Sequence, residues 1–345
     1  MEEIVTFERA IIMVNQTPLC IWDYESTIEK NLQFVNKIDH LYFEFLAQTL
    51  YQKLQTKKNN QRAAIAIRSA FSHGLETLFS LLGAYIQAPY CVQGWILHCN
   101  NKELNDLIDS INTHKKVPSV FKQDILDWTS ISENVFRSLI LENEEKKNEI
   151  VNGFASLWRG FAHNFTDKSF IKEYNSIKHG FRVTSGGFSV QLGSKGPSEG
   201  NNNQQSMHLL GSSKYGSTFH CLKAINNSIN HYFLVRYARN WDPEDMVWAL
   251  HLISLSISNV ISAIKIFNGI HPKDIKYIYP SDSKIFQKPI ENTRTLGVTS
   301  MKGYLYGLSE EIIQNYTKQE MVDLYTEGKF LKKIYQNVVL KNNSK

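Results

Sequence analysis

The 345-residue chain has little cysteine: Cys20, Cys91, Cys99 and Cys221 are scattered along it, and none stands in a CxxC pair. That leaves no thiol metal or redox motif to read, and the four residues fit reduced thiols in a cytosol. A basic leader is lacking as well. MEEIVTFERAIIMVNQTPLC carries acidic residues where a secretory signal is basic, so a cytoplasmic location is expected. The glycines form no phosphate loop, because no Gly-Lys-Ser/Thr follows them and no helix opens after them. A strong charge of one sign is also missing. The net charge is +5, and it arises from Lys265–Lys345, which holds 13 Lys+Arg against 8 Asp+Glu. That is far below a dedicated nucleic-acid tail. What remains is an ordinary globular composition, 42% hydrophobic and 21% charged. Frequent Asn, Lys and Ile fit an AT-rich bacterial genome.

Periodicity predicts a mainly α protein: one helical domain over 1–345, with a small antiparallel β insertion near 181–222 and a C-terminal helical extension over 309–345. Residues 1–22 read as an irregular arm, since they are apolar but aperiodic and contain Pro18. Ser26-Thr27-Ile28-Glu29 fits a capping box, and apolar residues stepping by three and four predict one helix over about 24–56. A second helix, about 61–88, is apolar nearly all round and so belongs in a bundle core. Shorter helices follow to 128, then a helical region from Ser130 to about Phe165. Asp167 suits an N-cap and Gly180 a left-handed end for a short helix between them. Beyond Gly180 the period changes to two. Phe181 and Val183, a Ser185-Gly186-Gly187 turn, and Phe188, Val190 and Leu192 read as a hairpin. Gly193–Gln205 has no apolar anchor beyond Pro197 and is expected to be a mobile loop. Met207–Leu210 and Ser217–Leu222 read as two more strands, and about 223–239 as helix. Asp242-Pro243-Glu244-Asp245 is a strong helix start, with the helix running to Asn268. Its 19 uncharged residues between Asp245 and Lys265 would reach across a membrane, but His251, Ser254, Ser258, Asn259 and Ser262 interrupt them. A buried central helix with a polar seam is the expectation, and no membrane partner. Thr317-Lys318-Gln319-Glu320 caps a helix, and Phe330–Val338 reads as the last one.

Three polar groupings are candidates for chemistry. On the helix 61–88, Ser69, Ser72 or His73, Glu76 and Ser80 form a stripe, with Arg68 beside it, in an otherwise apolar element. A buried ionisable group is costly unless paired, so Glu76 needs a partner, and His73 at i−3 is the nearest. On the helix before Gly180, Asn175, Lys178 and His179 share the face opposite Phe170, Tyr174 and Ile177. On the helix 243–268, His251, Ser254, Ser258 and Ser262 line one stripe. Turning the stripes toward each other is an economical solution. It predicts a common pocket with Asn175, Lys178 and His179 at its rim.

The run Arg68-Ser-Ala-Phe-Ser-His73 has the form R-x4-H, and Asn175-Ser-Ile-Lys178-His179 the form N-x-x-K-H. In these two places the chain resembles the HEPN superfamily of bacterial helical domains. Ser69 meets only loosely that family's preference for a polar residue after the arginine. The resemblance implies a metal-independent ribonuclease of a toxin or antiphage defence system, working across a homodimer interface, without cofactor. His73 or His179 would then be the acid/base, Arg68 or Lys178 would hold the phosphate, and Glu76 would orient His73. Asn175 and His251 are the accompanying binding residues, and RNA is the expected partner. A metal site built from His73, Glu76, His179 and His251 is an alternative of another class, though a second matching motif is missing. A third is a non-catalytic binding or assembly protein, with a partner protein meeting the hairpin and loop.

Overall fold

A computed structural model describes residues 10–21, 24–123, 125–194, 206–224, 232–286, 301–304 and 317–327. The fold is mainly α with a small antiparallel β insertion. The chain divides into two units, Met1–Phe219 with Ala238–Met301, and His220–Tyr237 with Lys302–Lys345.

The first unit opens on a hairpin rather than an irregular arm. Strand β1 (Ala10–Val14) pairs antiparallel with β2 (Thr17–Ile21). The alternation is hidden in the sequence because both faces of β1 carry apolar residues: Ile12 and Val14 are buried while Ile11 is exposed. Asn15, at φ 51°, makes the turn between them. Helices α1 (Tyr24–Asn36) and α2 (Tyr42–Leu54) stand where one long helix was expected. The apolar stepping runs through the break because Val35, Phe43 and Ala47 all face the core, while Asp39 accepts from the Leu41 amide and starts a new turn.

Helix α3 (Asn60–Gln87) is the axis of this unit, with α2 and α9 (Pro243–Phe267) packed along it. It packs tightly on α9 at Gly74, where a Cβ would lie 3.2 Å from an Ile253 methyl. A side chain there would require the Ile253 side chain to give way. The exposed edge of α3 holds Arg62, His73 and the half-buried Ser69 and Glu76. At its end, the Gln87 side chain accepts from the Asn15 amide (2.7 Å) and from Trp95 Nε1 (3.1 Å). It also donates to the carbonyls of Asn15 (2.8 Å) and Pro118 (3.1 Å).

Around α3 lie α4 (Val92–His98), α5 (Asn101–Asn112), α6 (Trp128–Val135), α7 (Glu144–Thr166) and α8 (Lys168–Lys178). The helical region expected from 130 to 165 is thus two elements, the second capped by Asn143. Helix α8 begins at the Asp167 cap and ends before Gly180 at φ 92°, as its sequence predicts. Helix α9 begins at the Asp242 cap with proline in its first turn, also as predicted. It is long and apolar enough to cross a membrane, with mean hydropathy 1.7 in its most apolar stretch, yet 83% of that stretch is buried inside the protein. Its seam is bonded in part: Ser256 accepts from Trp158 Nε1 (3.0 Å), Asn259 bonds the backbone of Ile278 and Ser262 the Lys276 carbonyl, while Ser254 Oγ is buried without a partner among the described residues.

The β insertion departs from expectation in its pairing. Strand β3 (Val183–Ser185) does not fold back on β4 (Ser189–Ser194). It pairs with the start of β6 (Gly216–Ala224), while β4 pairs with β5 (Ser206–Ser212). Gly187 explains the switch: a Cβ there would meet the Ser213 carbonyl oxygen at 2.0 Å, so the chain at 186–187 is pressed against 213–216 instead of turning freely. The second correction is β7 (Tyr232–Asn240), a strand where a helix over 223–239 was expected. Its sequence YFLVRYARN carries three aromatic residues and one β-branched valine, which favour strands. Strand order is β3-β6-β7-β8, with β8 at Met301–Tyr304. The second unit contains β6 from His220 on, β7 up to Tyr237, most of β8, and helix α10 (Lys318–Thr326), which has the predicted Thr317–Glu320 capping box. Of the expected loop Gly193–Gln205, Gly193 and Ser194 belong to β4 and the rest lies outside the described residues. The last helix, Phe330–Val338, also lies outside them.

Candidate functional site

Helices α3 and α8 meet at two carboxylate-centred clusters, one buried and one half open. The buried one forms around Glu173, a residue the sequence reading did not single out. Arg68 gives it Nη2 at 2.6 Å and Nε at 3.2 Å on one carboxylate oxygen. The other oxygen accepts from Trp241 Nε1 at 2.9 Å and from the Ser217 hydroxyl. The guanidinium lies 4.6 Å from the centre of the Phe170 ring. Arg239, in the base of β7, adds Nη1 at 3.3 Å from Asp167 and 3.7 Å from Glu173.

The charges decide the protonation states. Burial pushes the Glu173 carboxyl up, but Arg68, Arg239 and the Arg68 and Ser217 hydrogen bonds outweigh it, and the net shift is down. Asp167 follows the same logic: burial raises it, and bonds from Ser169 and the Phe170 amide, with the Arg239 charge, lower it below the usual range. Burial, and then the neighbouring Arg68, depress Arg239. The cluster is therefore ionised and nearly closed, with Arg68 only 4% exposed. It ties α3, α8, β6 and the start of α9 together.

The half-open cluster lies one turn further along α8. Glu76 accepts from the Tyr174 hydroxyl at 2.7 Å and from Lys178 Nζ at 3.2 Å. His73, the partner expected from sequence, is not the one used; its ring stands edge-on to Phe43 of α2, 5.3 Å between centres, and is exposed. Burial, then the bond to Glu76 and the Glu76 charge, push the Tyr174 phenol far up, so it stays a donor.

Beside Glu76 opens a cleft of about 380 Å³ between α3, the first turns of α5, the end of α7, and α8. Phe165, Phe170 and Tyr174 supply rings, and Asn101, Asn105 and Asn175 supply amides. Asn105 Nδ2 donates to the Asn101 carbonyl at 2.8 Å, while its Oδ1 is buried and has no hydrogen-bond partner. The turn that carries these amides is fixed by a capping box between Asn100 and Glu103.

The structure thus divides the expected constellation. Glu76, Lys178 and Asn175 come together at the cleft, and Arg68 is enclosed next door by Glu173. His179 caps the exposed end of α8, its amide bonded to the Asn175 carbonyl. His251 turns to α2, with Nδ1 3.5 Å from Glu44. Across the α3–α9 contact Gly74 meets Ile253, while Ser256, Asn259 and Ser262 of α9 bond to groups outside α3 and, among the described residues, Ser254 Oγ is buried without a partner. Among the described residues no group of three or more His, Cys, Asp or Glu could hold a metal ion. Sequence reasoning placed Tyr174 on the apolar face and missed Asn105, Glu173 and Arg239. A signal existed only for Glu173, because a buried Arg68 demands an acid. Comparison of the chain with protein-family models, with curated proteins and with solved structures finds no match.

Proposed function

We propose that the chain is a binding protein and that the cleft beside Glu76 seats an unpaired base of single-stranded RNA. The observation that carries this reading is Asn105 Oδ1, a buried acceptor without a partner in a wall of rings and amides. Such an atom costs about 1–3 kcal/mol, which a ligand N–H relieves. A nucleobase offers that donor at its edge and a flat face for Tyr174, Phe165 or Phe170, the combination by which unstacked RNA bases are commonly held. Lys102, in the lining, and Lys178, beside it, put positive charge where a phosphate chain would pass. The four free cysteines, with Cys20 exposed, support a reducing, cytoplasmic setting.

The hydrolytic alternative, metal-independent cleavage of the HEPN kind in a toxin or antiphage system, keeps one supporting observation. Lys178 and His179 are both exposed at the end of α8, next to the cleft. In that reading the exposed His73 would meet the site of a second copy.

One experiment tests both readings: anisotropy of a labelled mixed-sequence single-stranded RNA, followed by a gel of the same sample. The expected result is saturable binding of intact RNA, weakened about tenfold by Asn105→Leu. Absence of binding would overturn the RNA reading. Binding with cleavage that His179→Ala abolishes would replace it with the hydrolytic one.

A further inference from the structure

A second cavity, of about 310 Å³, opens at the far end of α3, where that helix meets α6 and the end of α9. Tyr85, in its wall, follows Glu76 by nine residues, about 14 Å along the helix axis. Lys122 and Arg137 line it, with Ser138, Tyr85, Phe121 and Tyr277, and no carboxylate does. Among the described residues neither cation forms an ion pair. The Arg137 side chain gives one nitrogen to Asn134 Oδ1 and, among the described residues, makes no other hydrogen bond, so most of its fork is uncommitted.

The aromatic residues contribute ring surface rather than polar ends. Tyr85 donates its hydroxyl to the Asn134 carbonyl and Tyr277 to the Val135 carbonyl, each at 2.9 Å, which satisfies the last turn of α6. Burial pushes both phenols up, Tyr277 to about 12 and Tyr85 further, so neither brings negative charge to the wall.

The position of Lys122 is imposed on it. Its φ of 57° lies in the left-handed region, disfavoured for a residue with a side chain. Strain of this kind collects where a side chain must be presented at a set point. The loop that carries it is fastened at two places, by Val120 N to the Ile86 carbonyl (2.9 Å) and by Gln87 to the Pro118 carbonyl (3.1 Å). The loop is thus held by the fold before any ligand arrives.

We propose that this cavity binds a small phosphorylated ring compound, its phosphate between Lys122, Arg137 and Ser138 and its ring against Tyr85, Phe121 and Tyr277. Two uncompensated cations suit a dianion; a single carboxylate needs only one arginine fork. The volume is at the lower end of the roughly 300–1,000 Å³ usual for ligand pockets, so the ligand is at most a single nucleotide in size and not a polymer.

The test is calorimetric titration of the full chain with phenyl phosphate and with adenosine 5′-monophosphate, against inorganic phosphate and adenosine. At least one phosphorylated ring should bind about tenfold tighter than phosphate or adenosine alone. Arg137→Gln should weaken it about tenfold and leave the melting temperature of the unliganded protein unchanged. Lys122→Gly supplies the second arm, since it removes the cation while relieving the backbone. It should melt at the same temperature or higher and still lose affinity. The RNA-cleft variant Asn105→Leu should bind these compounds normally, which separates this site from the other. Failure of both phosphorylated rings to bind, or full affinity in both cation variants, would overturn the proposal. Inorganic phosphate binding as tightly as the ring compounds would also overturn it.

Discussion

Helices α3 and α8 are joined by two ion pairs eight residues apart along α3, and the two junctions use similar chemistry in opposite surroundings. At Arg68–Glu173 the side chains are 5% and 1% exposed, and both carboxylate oxygens are occupied by protein donors. At Lys178–Glu76 they are 41% and 19% exposed, and a cleft opens alongside. The first pair gains strongly from its partner because each charge, left alone, would be stranded out of water. The second gains little, because water competes for both ends. An arginine suits the enclosed position, where its planar fork gives two bonds to one carboxylate, and a lysine suits the open one. The sequence pattern R-x4-H joined Arg68 of the enclosed junction to His73, which takes part in neither junction and stands exposed beside Phe43.

The sharpest way to break this contrast is Arg68→Met. It should leave the Glu173 carboxylate buried without its main partner and destabilise the protein by about 3–5 kcal/mol in urea unfolding. The double change Arg68→Met with Glu173→Leu should recover a good part of that loss. A double variant no more stable than the single one would mean that the pair itself, and not the relief of a stranded charge, holds the helices.

Acid offers a second probe. The carboxyls of Glu173 and Asp167 are lowered in the folded state, so their contribution is complete above their ordinary values of 4.5 and 3.8. The unfolded chain binds protons first as pH falls, so stability decreases below pH 4.5 toward the depressed folded values. Melting temperatures recorded down through this range should fall steeply in the parent and less steeply in the Arg68→Met/Glu173→Leu protein.

At the open junction the effects should be smaller. Glu76→Gln keeps the shape and an acceptor for Tyr174, and should cost less than about 1 kcal/mol. A loss as large as that of Arg68→Met would erase the distinction between the junctions. Smallest of all, His251→Ala removes a half-exposed imidazole 3.5 Å from Glu44 and should change unfolding free energy by no more than about 0.5 kcal/mol.

What was legible in the sequence follows from the range over which each signal acts. The Asp167 cap and Gly180 end of α8, the Asp242-Pro243 start of α9 and the Thr317–Glu320 box of α10 are written within four or five residues, and all are present. Strand β7 was misread because its apolar residues run continuously enough to satisfy a helical period, and only its three aromatics and Val235 argue otherwise. The pairing of β3 with β6 depends on the close approach of Gly187 to Ser213, which no local pattern encodes. The cleft was half legible. Glu76, Asn175 and Lys178 stood out as polar groups on apolar helices, but Asn105 looks like any surface asparagine of a capped helix. Glu173 stands 105 residues from Arg68, and nothing near either names the other.

Gln87 has a consequence of a different kind. Its carboxamide accepts twice and donates twice, to the turn of the N-terminal hairpin, to the indole of α4 and to the loop before Lys122. Every bonding direction of the group is in use, so position 87 admits no chemical synonym: glutamate lacks the two donors, lysine the two acceptors, and asparagine the reach. Three stretches of chain distant in sequence are consequently fastened by one rivet. They should loosen as one unit, with the amides of Asn15 and Val120 exchanging with solvent at a common rate that Gln87→Glu raises together.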